Sequence, residues 1–240
     1  MKINRIRGLF SADLTVKALS KMNKYGNTPL IGSFGVDADG VIPPEEITLI
    51  ENGILKTLLN DRTPTRMVPQ SNGHRRYAYF SNGVSYITGP GVIEVTGKNQ
   101  SSPEELKKQL IEKAKDEGLD YAIIVKRVDR TMGGFPTEIY KVAVSDGKET
   151  LIRPLSNSSL SLSTLRKCIG ISNRQTAYNT MLNLGPASGG FGTFIPDISG
   201  LPVSFIAPDG ILIEEMDLKG LPKNLSLEKP IVPSPLTESL

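Results

Sequence analysis

Glycine and proline, spread along the whole chain, set the first limit on its fold. The 240 residues include 23 Gly and 17 Pro, about one residue in six. Because glycine favours turns and proline interrupts helices, this density favours short strands and turns over long helices. Hydrophobic residues make up 38% and charged residues 22%, as is typical of a folded globular protein. We therefore expect a strand-rich domain with few helices.

The clearest local signal is a hairpin centred on Asn52 and Gly53. Apolar segments at 47–50 and 54–59 lie on either side of this pair. Asn-Gly accepts the positive φ angles of a type I′ turn, whose twist matches the two strands that it joins. Further strands are predicted at 92–95, 121–125, 140–144, 149–152, 201–206 and 211–216.

Two helices are predicted. Ser102 suits the N-cap, Pro103 the first helical position and Glu105 the capping box, and Gly118 ends the helix. A second, short helix is predicted over 161–169, with the Cys168 thiol on its inner face. Because strands and helices do not alternate regularly, we expect a β-rich α+β fold with antiparallel sheets, barrel- or sandwich-like, and two or so helices.

Charge and residue counts exclude several functions. The net charge of +3 is too small to indicate nucleic acid or a membrane surface as partner. One His and one Cys cannot form a Cys/His zinc site, which needs three or four such ligands. A single Cys also rules out an internal disulfide, and we expect a cytoplasmic protein. No apolar stretch reaches the roughly 20 residues of a membrane span, and the basic start lacks the apolar segment of a signal peptide.

Residues 71–76, Ser-Asn-Gly-His-Arg-Arg, form the most polar cluster beside a turn signal. His74 could act as a general base, and Arg75 and its neighbour could grip a carboxylate. The alternative is a surface loop with a solvated His74. A Ser–His catalytic pair would have to use His74, but no Gly-x-Ser-x-Gly elbow occurs in the sequence.

Three other segments have ordinary structural explanations. Asp37-Ala38-Asp39-Gly40 resembles the start of a calcium loop, but the later oxygen ligands are missing, so a turn is expected. The glycine-rich segment 185–192 lacks the Gly-Lys-Ser/Thr of a phosphate loop and predicts a flexible loop. Cys168 is expected to be a buried structural thiol.

Taken in order, these segments resemble the C-terminal half of the TldD/PmbA family, long labelled modulators of DNA gyrase and now regarded as metallopeptidases. Residues 49–56, Leu-Ile-Glu-Asn-Gly-Ile-Leu-Lys, are similar to the family's Leu-Ile-Glu-Asn-Gly-Val-Leu-Lys hairpin. Residues 71–76 are similar to its Ser-Asn-Gly-His-x-Arg. Segments 28–34, 37–41, 203–208 and 211–215 and the Pro-Ser-Pro tail also fit the family pattern. The resemblance covers about residues 13–236.

The resemblance implies a zinc peptidase that takes unstructured peptides into a cleft by strand addition. It also implies a partner, either a second copy or a related subunit. It makes residues 1–217 the family's C-terminal-like domain, with 1–30 as a remnant of the preceding segment and 218–240 as a Pro-rich tail. Partners of other kinds, nucleic acid and membrane, are not expected.

Departures from the family pattern concern the metal. The family's His-Glu-x-x-x-His motif does not occur in this sequence, and residues 179–185 lack the Cys of its Asn-Gly-x-Cys-Gly segment. The Asp-Asp-Glu-Gly signature is altered at Ala38 and Asp39. We therefore expect no metal, no cofactor and no catalytic residue in this chain.

These departures favour a catalytically silent scaffold that binds peptide or pairs with a subunit. The alternative is an active zinc peptidase half, completed by a separate or preceding part that carries His-Glu-x-x-x-His. A nucleic-acid or gyrase-associated factor, as the older family label suggests, is a further alternative that the charge disfavours. The predicted residues of the peptide groove are Asp39, Gly40, Asn72, Gly73, His74 and Arg75.

Overall fold

The computed structural model describes residues 14–80, 83–129, 135–152, 162–182 and 200–215. It divides into two compact units, which are described separately. The first holds the described residues up to Gln109 together with Leu162–Glu215. The second holds the described residues between Leu110 and Ser161. The predicted glycine-rich loop at 185–192 and Pro-rich tail at 218–240 lie outside the described residues, and the predicted domain bounds stay a prediction.

The described part of the chain forms sixteen strands and two helices. The first nine strands are β1 (Leu14–Ala18), β2 (Lys24–Tyr25), β3 (Thr28–Pro29), β4 (Ile47–Glu51), β5 (Ile54–Leu55), β6 (Arg75–Phe80), β7 (Gly83–Thr88), β8 (Val92–Gly97) and β9 (Gln100–Ser101). Helix α1 (Pro103–Asp116) follows, and then β10 (Tyr121–Asp129), β11 (Phe135–Ala143) and β12 (Glu149–Ile152). The last elements are α2 (Leu162–Arg166), β13 (Cys168–Ser172), β14 (Gln175–Leu182), β15 (Leu201–Pro208) and β16 (Ile211–Ile213).

The first unit is organised by a six-stranded sheet in the order β14-β15-β8-β1-β4-β5. Its pairs are antiparallel except for β15 with β8, which are parallel and distant in sequence. A parallel pair needs a crossover connection, and here the chain between β8 and β15 contains the described residues of the second unit. Two clusters of buried side chains pack on this framework: Leu30, Val92 and Ile206, and Ala78, Leu201 and Val203. The predicted β-rich α+β class is confirmed, and the described strands form no closed barrel.

Local sequence signals locate several elements correctly. Asn52 and Gly53 have φ angles of 51° and 73°, as a type I′ turn requires, although β5 is shorter than the predicted strand. The Ser102 hydroxyl oxygen accepts the N–H of Glu105 at 3.1 Å, which confirms the predicted cap of α1. No helix in the described ranges is long and apolar enough to cross a membrane.

The second predicted helix is only partly right. It ends at Arg166, and Cys168 begins strand β13 instead of lying on a helix face. Cys168 pairs with Ile213 of β16, and its side chain packs in a buried cluster with Leu14 and Ile171. Long-range pairing and burial of the β-branched Ile171 therefore override the helical spacing. The expectation of a buried thiol is confirmed.

The second unit contains a three-stranded antiparallel sheet in the order β10-β11-β12. The predicted hairpin is present, with Tyr140 opposite Leu151 and Val142 opposite Glu149. Ile139 and Val142 of its central strand are fully buried.

Candidate functional site

Asp37 organises the loop that lies beside the predicted site residues. Its carboxylate accepts three backbone N–H groups, from Asp39 at 2.9 Å, Val41 at 2.8 Å and Arg75 at 3.1 Å. Gly40 adopts a φ of 77° within this loop. Because N–H donors engage both carboxylate oxygens, residues 37–41 form a turn, as expected, rather than the start of a calcium loop. We refer to residues 37–41 as the Asp37 loop.

The Asp37 loop is joined to the beginning of β6. The N–H of Ala38 donates to the carbonyl of Arg75 at 2.7 Å. The Arg75 guanidinium lies 3.5 Å from the Asp39 carboxylate and 5.1 Å from the ring centre of Tyr86. The second carboxylate oxygen of Asp39 is buried and has no hydrogen-bond partner in the described part of the chain. Two predicted site residues, Asp39 and Arg75, are thus brought into contact across the loop and the strand.

His74 lies in the protein interior, just before β6, with no exposed surface. The alternative of a solvated histidine is therefore wrong. One ring nitrogen, Nε2, lies 2.9 Å from the Ser20 hydroxyl, and the other, Nδ1, lies 2.8 Å from the carbonyl of Asn72. The ring also makes an edge contact with Phe34, at 5.7 Å between ring centres. The histidine joins segments that are distant in the sequence.

The surrounding contacts define which nitrogen of His74 carries the proton. Nδ1 faces the carbonyl of Asn72 and its side-chain oxygen, at 2.8 and 3.0 Å. That side-chain oxygen also accepts the N–H of Asn60 at 2.7 Å, while the Asn72 amide nitrogen donates to the Leu58 carbonyl at 2.8 Å. Since Nδ1 faces only acceptors, it must be the donor in the neutral ring. The Ser20 hydroxyl therefore donates to Nε2.

The hydrogen bonds thus connect a hydroxyl, an imidazole and an acceptor in a row, from Ser20 through His74 to Asn72. The same order of groups is used in nucleophilic catalysis. Ser20 is 1% exposed and His74 is 0% exposed, so a substrate carbonyl cannot reach the hydroxyl. The arrangement is a buried polar network that ties Ser20, after β1, to the start of β6. Ser20 lies 54 residues from His74, and nothing in its local sequence marks it as the partner.

Burial makes the stability of the first unit sensitive to mild acid. Desolvation lowers the pKa of His74, the nearby Arg76 charge lowers it further, and the hydrogen bond to Asn72 opposes this shift. Below about pH 6.5 the unfolded chain binds a proton that the folded chain resists, so stability falls as the pH decreases. We expect a loss of up to about 1.4 kcal/mol per pH unit from this residue below about pH 6.5, and a contribution that fades as the pH rises above 7.

Urea unfolding at pH 7.0, 6.0 and 5.0 measures this effect, with His74→Asn as the chain that cannot titrate there. Because the two chains share every carboxylate, the difference between their pH profiles isolates the histidine. The stability advantage of the parent chain should shrink as the pH falls. Parallel pH profiles in the two chains would contradict the prediction.

Arg76 is the second buried polar residue of the cluster. Its Nη1 group donates to the carbonyls of Gly32 and Pro90 at 3.2 and 2.9 Å, and Nη2 donates to the carbonyl of Pro202 at 3.2 Å. The guanidinium also stacks over Phe34, at 4.1 Å from the ring centre. Burial lowers its pKa to about 10. The sequence indicated Arg76 only as the second arginine that could grip a carboxylate, and not as a groove residue, because neither its burial nor its carbonyl partners are visible in the local sequence.

β6 and β7 form a hairpin with an exposed aromatic face. Tyr77, Tyr79 and Tyr86 are about half exposed, as is Val84, while the alternate residue Ala78 is buried. Tyr77 and Tyr86 are cross-strand neighbours, with ring centres 5.1 Å apart. The hairpin is not among the predicted strands, although its sequence signal is present as Asn82-Gly83 between two alternating segments.

The hairpin register defines which backbone groups face outward. Gly89 N–H donates to the His74 carbonyl, and Tyr79 exchanges two hydrogen bonds with Gly200 on the other side of β6. In an antiparallel pair, consecutive residues of a strand point their N–H and C=O groups alternately toward and away from the partner strand. The N–H and C=O groups of Val84 and Tyr86 therefore point away from β6, and they have no backbone partner among the described residues. Within the described ranges, β7 is therefore an edge strand that pairs with β6 on one side and with no strand on the other.

A shallow depression of about 150 Å³ lies along the opposite edge of the hairpin, beside β6. It is lined by Phe34, Val36, Asp37, Ala38, Arg75, Arg76, Tyr77, Tyr79 and Pro202. Of the predicted groove residues, only Arg75 lines this depression. Gly73 and His74 are buried, Asp39 and Gly40 belong to the Asp37 loop, and Asn72 contacts Asn60 and His74.

The donor set of the described residues does not fit a zinc ion. No three His, Cys, Asp or Glu side chains come together as a metal-binding group within the described ranges. Both ring nitrogens of His74 are engaged by Ser20 and Asn72, and the Cys168 thiol is buried on β13, 3.4 Å from the carbonyl of Gly170. Neither His74 nor Cys168 is therefore available to a shared metal centre.

Comparisons with known proteins agree with this fold. A protein-family model described as the PmbA/TldA metallopeptidase C-terminal domain matches residues 9–220. Among solved structures, TldE from Thermococcus kodakarensis is similar over 92% of this chain, with a TM-score of 0.55 and 15% identity. At this identity the likeness shows a shared fold alone, and the match covers 43% of the TldE chain. No match was found among curated proteins.

Proposed function

The chain belongs to the PmbA/TldA metallopeptidase C-terminal domain family, and we propose that it is a catalytically silent scaffold that binds extended peptide. The observation that carries this proposal is the unpaired edge of β7. The buried, fully engaged His74 supports a structural role for the one residue that could have acted as a general base.

The β7 edge has the features that strand addition requires. The outward N–H and C=O groups of Val84 and Tyr86 can form a new antiparallel or parallel ladder with an extended segment. Their side chains lie on the same face as Tyr77 and Tyr79, so an added strand would meet aromatic and β-branched neighbours. Exposed edge strands of this kind are usually blunted by charge or proline, and 83–88, Gly-Val-Ser-Tyr-Ile-Thr, contains neither.

The same edge also suits a family-type partner, either a second copy of this chain or a related subunit. A partner strand would use the ladder positions that a peptide uses, so the two occupants would compete. Peptide is favoured because the edge is short, about six residues, and supplies a small contact area. Light scattering on the purified chain tests for pairing of two copies, which through β7 would produce a dimer.

The rival function is an active zinc peptidase half that receives its metal motif from another part. It would need His or Cys ligands from this chain to be accessible, and His74 and Cys168 are both buried. The net charge of +3 gives no support to a nucleic-acid partner. The scaffold proposal therefore rests on an exposed binding edge together with the absence of an accessible metal ligand among His74 and Cys168.

A proline at Tyr86 tests the edge directly. The backbone N–H of Tyr86 points away from β6. Tyr86→Pro should therefore remove a donor of the new ladder and keep the pairing with β6. The probe is a fluorescent hexapeptide of alternating Thr and Val, capped at both ends, followed by anisotropy. We expect Tyr86→Pro to weaken binding about tenfold, from one lost hydrogen bond and the steric block at its neighbour.

Tyr86→Thr is the matched control, because it removes the same ring and keeps the backbone N–H. It should weaken binding less than the proline does, and urea unfolding should show that both variants are folded. Absence of saturable binding in the parent chain, or equal binding by the parent and Tyr86→Pro, would refute strand addition at β7.

A further inference from the structure

The second edge of the hairpin, along β6, contains a gap one residue long. At one end, Ala38 N–H donates to the Arg75 carbonyl, and the Arg75 N–H donates to Asp37. At the other end, Tyr79 exchanges two backbone hydrogen bonds with Gly200. Tyr77 lies between them, and its N–H and C=O point to the same side as those of Arg75 and Tyr79. These two groups have no partner among the described residues.

The gap is too short for a strand that passes along the edge. Arg75 and Tyr79 are four residues apart, about 13 Å at the rise of a strand. Because the Asp37 loop closes one end and Gly200 closes the other, an extended segment cannot continue past either. The space admits the end of a chain or a single small molecule, which agrees with the depression's volume of about 150 Å³, well below that of a drug-sized pocket.

Arg76 supplies unused donors at this depression. Its side chain is 7% exposed, and three of its five N–H groups are used by the carbonyls of Gly32, Pro90 and Pro202. The Nε of Arg76 makes no hydrogen bond to the described residues, and Arg76 is one of the residues that line the depression.

The charge of Arg76 is not balanced by a carboxylate. No Asp or Glu oxygen in the described part of the chain lies within 4.0 Å of its guanidinium. Asp37 also lines the depression, but its two oxygens are occupied by three backbone N–H groups, and Asp39 is in contact with Arg75 instead. A buried cation whose hydrogen-bond partners in the described ranges are all neutral carbonyls favours an anionic ligand that can complete its hydrogen bonds.

We propose that the Tyr77 gap binds an α-carboxylate. In this arrangement the free N–H of Tyr77 and the unused N–H groups of Arg76 donate to the carboxylate oxygens, and the free carbonyl of Tyr77 accepts the N–H of the same residue. The residue's side chain lies against Val36, Tyr79 and Pro202, which line the depression. The ligand is either the C-terminal end of a peptide or a free amino acid. This site is separate from the β7 edge and does not depend on peptide addition there.

Three small ligands test the site and distinguish its two sources. Acetylalanine has the carboxylate and an acylated nitrogen, like the end of a peptide, acetylalanine amide lacks the charge, and alanine is the free amino acid. The readout is the amide NMR signal of Tyr77 during titration of the isotope-labelled full chain. We expect acetylalanine to shift this signal saturably, with binding at least tenfold tighter than that of its amide.

If alanine binds as well as acetylalanine does, the ligand is a free amino acid, and if it binds at least tenfold more weakly, the ligand is a peptide end. Equal affinity for acetylalanine and its amide, or no shift with any of the three, would overturn the proposal. These compounds are too short to form a ladder along β7, so the result does not depend on the outcome of the hexapeptide experiment.

A substitution that fills the depression with a larger side chain tests whether the depression is the binding site. Val36 is 54% exposed and lines the depression, and Ile42 is 66% exposed and does not line it. Val36→Trp should weaken acetylalanine binding at least tenfold, whereas Ile42→Trp, a control in the same connection between β3 and β4, should leave it within twofold of the parent. Arg76→Gln should also abolish binding if it folds. Unchanged binding in a folded Val36→Trp chain would exclude the depression as the site.

Discussion

Gly32→Ala is expected to destabilise the first unit by about 3 kcal/mol or more, at the upper end of overpacking effects. A Cβ at this position would lie 2.2 Å from the carbonyl oxygen of Gly91 and 2.6 Å from the backbone nitrogen of Ser204. Both neighbours are backbone atoms, so relief requires movement of the main chain. That movement would also disturb the bonds of Gly32 N–H to the Ser204 hydroxyl, at 2.9 Å, and of its carbonyl to Arg76, at 3.2 Å.

Gly35→Ala is the matched control for this prediction. It lies three residues away in the same connection, and a Cβ built there meets no atom within 4 Å. Its effect should be small, within about 1 kcal/mol and of stabilising sign if its φ suits alanine. Urea unfolding at pH 7 measures both variants. If the Gly32→Ala chain were as stable as the Gly35→Ala chain, the backbones at Gly32 and Gly91 would not be closely packed in solution, and the prediction would be wrong.

Asp37→Ala should lower the free energy of unfolding by about 3 kcal/mol, because it leaves three backbone N–H groups without their acceptor. The carboxylate is buried, so water cannot replace all of these bonds. Loss of the Asp37 loop would also release the Ala38 contact that closes one end of the Tyr77 gap. Asp37→Asn should be intermediate, since its amide nitrogen cannot accept a hydrogen bond.

Asp146→Ala is the control, because Asp146 is exposed and its carboxylate accepts one backbone N–H, from Lys148 at 2.9 Å. Asp146→Ala should lower the free energy of unfolding by less than about 1 kcal/mol. Urea unfolding followed separately by tyrosine fluorescence and circular dichroism gives the free energies. Equal losses for Asp37→Ala and Asp146→Ala would contradict a special role for the buried carboxylate.

The elements that could be predicted are those whose signals are local. The Asn52-Gly53 turn depends on φ angles that these two residues adopt readily, and the start of α1 depends on a hydroxyl three residues from its N–H partner. The order of motifs likewise placed the chain in its family, because that order is a property of the sequence alone. The same local reasoning failed at Cys168, where the partner strand β16 is about forty residues away.

The candidate site could be located only in part. Of the predicted site residues, the structure brings Arg75 into contact with Asp39 of the Asp37 loop, yet the environment of each side chain could not be read from the sequence. In the structure, His74 is a buried structural residue and Arg76 is a buried cation among carbonyls. The exposed aromatic face of β6 and β7 was not predicted. Peptide binding by residues Asp39, Gly40, Asn72, Gly73, His74 and Arg75 stays a prediction.

Sequence alone determined the class of fold, the family, the best local turns and caps, and the count of one His and one Cys. Tertiary structure decided which groups are accessible. Whether His74 is a base or a core residue depends on Ser20, 54 positions away, and whether β6 offers an edge depends on Gly200, more than a hundred positions away. Local propensities depend on near neighbours, whereas burial, protonation and free backbone groups depend on which distant segments pack together.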